Sequence, residues 1–181
     1  MTGVDDITKL AVAAGAGDRV AMTTFVRRTQ ADVWRVCAHL GDADTADDLT
    51  QETYLRALPA LAGFRGESSA RTWLLAIARH VCADSVRSRT RYRRMVERVA
   101  RRRTPSAEPA VSGPIELDHL VAALDTDRRE AFVLTQVLGL RYEEAAAVCG
   151  CPVGTIRSRV ARARADLVAA LDADADEAAD G

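Results

Sequence analysis

Apolar residues recur at helical spacing along nearly the whole chain, and no stretch shows the period-two alternation of a half-buried strand. Residues 5–16 form a short Ala-rich helix. Asp18 is placed to cap the next one, along which Val20, Met22, Phe25, Val26, Val33, Trp34, Val36, Cys37 and Leu40 recur until Gly41 ends it. Asp44 or Thr45 opens a third helix to about Leu58, with Pro59 as its stop. Residues 63–69 hold two glycines and read as a loop. Ser69 is placed to cap a long helix beginning near Arg71, with Trp73, Leu74, Ile77, Val81 and Val86 at its apolar positions. A second helical set occupies residues 115–124, 127–137, 141–149 and 153–171. The segment TPSAEPAVSGP between the sets carries three Pro, a Gly and small polar residues, and reads as a linker. The pattern predicts an all-α protein of two helical domains, at residues 5–95 and 115–171. They are joined by a flexible linker at 96–114, and an acidic tail at 172–181 reads as frayed or disordered.

Composition sharpens this picture at three points. Of 181 residues, 48% are apolar but only 4% aromatic, so aliphatic side chains and Ala must fill the cores. Cys37, Cys82, Cys149 and Cys151 are too few and too scattered for a disulfide framework. No apolar run approaches the ~20 residues of a membrane span, and MTGVDDITKL lacks the basic and apolar regions of a signal peptide. A reduced, cytoplasmic protein with no membrane partner is expected. The formal charge of −1 hides strong asymmetry: residues 1–60 carry −3, 61–114 carry +8, 115–171 carry −1 and 172–181 carry −5. Lys9 is the one lysine. The remaining cations are Arg, whose planar fork suits phosphate, and they crowd from Arg87 to Arg94 and on through Arg98 to Arg103.

The second set contains a helix-turn-helix pattern. A short helix over 141–149 ends at Gly150, suited to a left-handed terminal position, and Cys151-Pro152 opens the next helix. On that helix Ile156, Val160, Ala163 and Leu167 form one narrow stripe, with Thr155, Ser158 and Arg162 opposite it. Arg159 lies on one flank, Arg157 and Arg164 on the other. Such a helix can enter a major groove, with Thr155, Ser158, Arg159 and Arg162 meeting base edges and Arg157 and Arg164 holding phosphates.

The first set offers two candidate surfaces. Asp48, Gln51, Glu52 and Leu55 share one face of their helix, an acidic-amide stripe with an apolar edge that suits a basic helical partner. The loop around Phe64, Arg65 and Ser68 precedes a helix carrying Arg71, Arg79, His80, Asp84 and Arg87. A pocket, polar edges and Arg are what an unstacked base needs. Trp73 reads as an ordinary core residue.

Three stretches, DDLTQETYLRAL, FRGESSARTWLLAIARHVCADSVR and LRYEEAAAVCGCPVGTIRSRVARAR, together resemble the extracytoplasmic-function (ECF) sigma factors of bacterial RNA polymerase. The resemblance, with the order of the stretches and the linker, spans most of residues 5–171. It implies sigma region two followed by region four, a role in promoter-specific initiation, and no chemistry of the chain's own. It implies that Asp48, Gln51, Glu52 and Leu55 bind the clamp helices of core polymerase, whose flap is a further contact. Phe64, Arg65, Ser68, His80 and Asp84 match the positions that read and open the −10 element as single-stranded DNA, with an extruded base lodged by the loop. His80 stands where Asn is common. The helix from Val153 matches the reader of −35 duplex DNA. The family often adds an anti-sigma factor as a partner, and its linker threads the polymerase.

Two other readings stand beside this one. Residues 115–171 alone can serve a stand-alone duplex-binding regulator, with the first set as a sensor or dimerisation domain. Cys149 and Cys151 can supply two metal ligands, half of an ordinary site, while His39, His80 and His119 show no ligand spacing. No nucleophile–base pair, phosphate-cradling Gly loop or paired-carboxylate site is present, so no enzyme activity, cofactor or metal is expected. The opposed charge segments predict weak, salt-sensitive duplex binding by the free protein and strong promoter binding only with core polymerase.

Overall fold

The computed structural model describes residues 5–41, 43–100 and 117–179. Residues 101–114 of the predicted linker, the first two residues of the predicted second domain and the last two of the tail lie outside them. Among the described residues every regular element is helical.

The first body is built from α1 (Asp6–Gly15), α2 (Arg19–Leu40), α3 (Ala46–Ala60) and α4 (Ala70–Ala100). Asp5 and Asp18 cap α1 and α2, their side-chain carboxylates accepting from first-turn backbone N–H groups that have no partner within the helix. Thr45 precedes α3 but makes no side-chain cap. Pro59 does not stop α3 but sits in its last turn, and the chain tightens into a single 3-10 turn at Leu61–Gly63. The core gathers Phe25, Val33, Val36, Leu61, Leu74, Leu75 and Val81, all at most 2% exposed. One polar chain crosses it. The Thr29 hydroxyl donates to the Phe25 carbonyl at 2.8 Å, so Tyr54 OH is the donor in the 2.7 Å contact with Thr29 Oγ1. Burial raises the Tyr54 phenol to about 12. Val20 and Trp34, two of the apolar positions that recur along α2, are 76% and 44% exposed.

The second body comprises α5 (Leu117–Ala123), α6 (Thr126–Phe132), a π turn at Val133–Val137, α7 (Tyr142–Cys149) and α8 (Val153–Ala179). Its core holds Val133, Leu134, Ala145, Ile156, Val160 and Ala163. Gly150 adopts φ 65° and ψ 36° at the end of α7, a conformation nearly free for Gly and costly for other residues. The predicted helix over 127–137 splits, because Leu138 N–H reaches back five residues to the Val133 carbonyl at 3.0 Å. Two boundaries move outward. Helix α4 takes residues 96–100 from the predicted linker, and α8 continues to Ala179 through the Ala-rich tail, where Ala favours the helical state over disorder.

The bodies touch. Helix α7 packs on α4 and α5 on α2. Arg79 Nε donates to Glu130 Oε2 at 2.8 Å, and Arg71 Nη2 donates to the Leu138 carbonyl at 2.9 Å. In this structure the bodies pack together rather than standing apart.

Candidate nucleic-acid and polymerase interface

The loop between α3 and α4 is built from below by α1. At Gly66, φ is 74°, and an added Cβ would lie 3.3 Å from Val12 Cγ2 and 3.6 Å from Thr8 Cγ2. Glycine suits this position because its φ is positive and because a Cβ would crowd Val12 where the loop lies against α1. The Ala70 N–H, first donor of α4, bonds Thr8 Oγ1 at 2.8 Å. Thr8 is 2% exposed and its hydroxyl donates in turn to Asp5 Oδ2 at 2.8 Å. The cap predicted at Ser69 is therefore supplied by a residue on another helix.

So held, the loop frames an open cleft of about 290 Å³ lined by Gly63, Phe64, Arg65, Glu67, Ser68 and Trp73. Phe64 and Trp73 are half-buried, with ring centroids 5.1 Å apart and planes tilted by 41°. Trp73 thus packs on the core, as read from the sequence, and also walls the cleft. Arg65 and Ser68 are exposed at its edge. The cleft offers an apolar wall, acceptors and a guanidinium, the set that binds a flat heteroaromatic ring beside an anion.

Along α4, His80, Asp84 and Arg87 are exposed. Asp84 is gripped from both sides: Arg56 Nη1 donates to Oδ2 at 3.0 Å and Arg87 Nη2 to Oδ1 at 2.6 Å. These guanidinium hydrogen bonds hold its carboxyl below the usual range. Arg56 also donates to Glu52 Oε1 at 2.7 Å. A chain of charges, Glu52–Arg56–Asp84–Arg87, therefore ties the two surfaces predicted on α3 and α4. Arg56 was missed in the sequence reading, though its four-residue step from Glu52 is a helical pairing signal. Arg71 and Arg79 are not open at present. Arg71 Nε bonds Asp32 Oδ2 at 2.7 Å, and Arg79 pairs with Glu130, whose side chain is 7% exposed. Neither Asp32 nor Glu130 had a sequence signal, because both pairings depend on tertiary approach.

On α3, Asp48, Gln51 and Leu55 are exposed and Glu52 is half-exposed, with Leu55 at 63%. Beside them Trp34 Nε1 donates to Asp47 Oδ1 at 2.9 Å, extending the face with an aromatic. On α8, the stripe Ile156, Val160, Ala163 and Leu167 is buried. Arg157, Ser158, Arg162 and Arg164 are exposed and Thr155 half-exposed. Ser158 Oγ donates to the Thr155 carbonyl at 2.9 Å, and Arg164 Nη2 donates to Gln136 Oε1 at 2.6 Å. Arg159 is bonded to Asp127 and lies 3.8 Å from Cys151 Sγ. Burial foremost, and then the nearby Glu130 charge, raise the Cys149 thiol to about 12, which disfavours the thiolate a metal requires. Among the described residues no group of three or more His, Cys, Asp or Glu is arranged to hold a metal, and no helix is long and apolar enough to cross a membrane.

Comparison with known proteins adds independent findings. The chain matches Sigma-70 region 2 over residues 25–92 and Sigma-70, region 4 over residues 115–167. It is 51% identical over 184 residues to the ECF RNA polymerase sigma factor SigC of Mycobacterium tuberculosis and to the probable RNA polymerase sigma-C factor of Mycobacterium bovis, with 96% of each chain covered. The structure of CnrH in complex with the cytosolic domain of CnrY is similar at TM-score 0.73 and 32% identity, over 94% of this chain and 99% of that one. The sigma factor RpoE from Bartonella quintana, solved with the anti-sigma factor NepR, is similar at TM-score 0.64 and 30% identity, over 84% and 98%.

Proposed function

Because this chain belongs to the ECF RNA polymerase sigma factors and serves transcription initiation, we propose that its first body opens and captures the −10 element while its second reads the −35 duplex. The observation that carries the proposal is the cleft of Phe64, Arg65, Ser68 and Trp73 standing at the head of the helix that exposes His80. A base extruded from the stack enters the cleft against Phe64. Its polar edge meets Ser68 and the loop backbone, and Arg65 holds the adjoining phosphate. The energy for strand opening comes from this capture. Phosphodiester chemistry belongs to core polymerase, and the chain itself is no enzyme.

The −35 reader is α8. Thr155, Ser158 and Arg162 face base edges, while Arg157 and Arg164 lie toward phosphates. Arg159 joins the base-reading set once it leaves Asp127. Core polymerase docks on Asp48, Gln51, Glu52 and Leu55, with Trp34 at the margin. An anti-sigma factor is a further partner under this reading, supported by the complex of RpoE with NepR. Arg71 and Arg79 reach DNA only after the bodies part, since Leu138 and Glu130 occupy them in the packed form.

Permanganate footprinting tests the proposal. With core polymerase and a promoter found by transcript-start mapping, thymines in the −10 element become reactive. Phe64→Ala abolishes that reactivity while core binding stays intact. Unchanged reactivity in the variant removes the capture mechanism.

A further inference from the structure

Helix α1 touches the loop between α3 and α4 at both ends and in the middle. At the near end, Gly15 lies so close to the 3-10 turn that a Cβ there would collide with the Leu61 carbonyl. In the middle, Val12 Cγ2 and Thr8 Cγ2 lie under Gly66. At the far end, Thr8 Oγ1 accepts the Ala70 N–H at 2.8 Å. The Thr8 hydroxyl is itself fixed. It donates to Asp5 Oδ2 at 2.8 Å, while Asp5 Oδ1 accepts the Thr8 backbone N–H at 2.9 Å. Its one hydrogen is thereby committed to the carboxylate, and a lone pair is left for Ala70. Thr8 is 2% exposed, so whatever it does for DNA passes through the loop. The Sigma-70 region 2 match spans residues 25–92, and α1 lies ahead of it.

We propose that Thr8 is a positioning residue for base capture: its hydroxyl, with Gly15 and Val12 on the same helix, holds the loop of Phe64, Arg65 and Ser68 in its capturing shape before the base arrives. Residues 64–69 belong to no regular element. A loop that must be ordered on binding weakens the contact by the conformational entropy it loses. Three contacts to one helix remove that loss in advance. Deleting the Thr8 acceptor strands the Ala70 N–H, and the first turn of α4 then shifts toward water together with the loop that leads into it. Stacking on Phe64 weakens, although no residue that meets the base has changed. This inference rests on the base-capture reading of the same cleft.

The test measures the affinity of holoenzyme carrying the full-length chain for two mapped promoter fragments, one intact and one abasic at the captured position. That position is the −10 nucleotide whose base removal weakens wild-type binding and leaves Phe64→Ala unaffected. Stacking of a base on an aromatic ring sets the wild-type ratio of intact to abasic affinity at about 10-fold. Thr8→Val brings the ratio to ~3-fold or less, and Thr8→Ser, which keeps the hydroxyl, returns it to the wild-type value. Val12→Ala changes a side chain that is 42% exposed and lowers the ratio in the same direction with the fold intact. A role confined to folding weakens both fragments equally and leaves the ratio where it was. An unchanged ratio in Thr8→Val therefore overturns the proposal, and Val12→Ala decides in the same way where Thr8→Val does not fold. Wild-type binding that loses nothing at any abasic −10 position removes the capture reading itself, a separate failure read in the same samples.

Discussion

The hydroxyl of Thr8 closes the first turn of a helix that begins 62 residues later. Helix starts leave N–H groups without partners, and a buried one costs on the order of 1–3 kcal/mol when unmatched. Thr8→Val keeps the shape and deletes the acceptor. It should lower stability by about 1–2 kcal/mol in urea unfolding, while Thr8→Ser restores most of the loss. Equal stability of the Val variant would show that Ala70 finds another acceptor. Cys149 invites a second measurement. With its thiol raised to about 12, only ~10⁻⁴ of it is thiolate at pH 8. Iodoacetamide should label Cys149 far more slowly in the native protein than in urea, read by mass spectrometry, and equal rates would contradict the burial.

Single elements show what periodicity can and cannot reveal. The α8 stripe was legible because Ile156, Val160, Ala163 and Leu167 are buried by their own spacing. Gly150 was legible because only a residue at ease with positive φ ends α7 so abruptly. Trp34 was not: it stays partly exposed while its indole N–H reaches Asp47, a fact of tertiary approach and not of spacing. The predicted Ser69 cap failed for the same reason, since Thr8 arrives from another helix. Helix α7 supplies a pH test. Glu144 accepts from the Arg141 backbone N–H at 2.8 Å and from its guanidinium at 3.2 Å. Burial pushes its carboxyl up, but these hydrogen bonds win and hold it below the ordinary value. A lowered carboxyl stabilises above its unfolded pKa, and that contribution is lost as pH falls through the folded value. Glu144→Gln should therefore cost about 0.5–1 kcal/mol at pH 7 and progressively less as the pH falls below the ordinary carboxylate range. A pH-independent loss would mean packing, and not charge, is what Glu144 contributes.

At the scale of the molecule, two bodies that the sequence strings on a flexible linker lie against each other. Glu130 is the buried member of the pair that joins them. Replacing one side of such a pair strands the other, which is costlier than removing both. Glu130→Gln should loosen the packing and raise the affinity of the free protein for single-stranded −10 DNA, measured by fluorescence anisotropy. An unchanged affinity would mean that the pair does not gate access. The charge arithmetic made the basic middle of the chain legible, and helical spacing made the exposed face of α3 shared by Asp48, Gln51 and Leu55 legible. Neither revealed Arg56, whose bonds to Glu52 and Asp84 tie α3 to α4. That tie depends on how α3 and α4 lie together. The most direct measurement of the central claim is run-off transcription by core polymerase on a promoter mapped after induced expression of the chain. Adding wild-type protein should yield a transcript starting at one mapped nucleotide, and disrupting either promoter element should abolish it. Transcription no different from that of core polymerase alone would contradict the account.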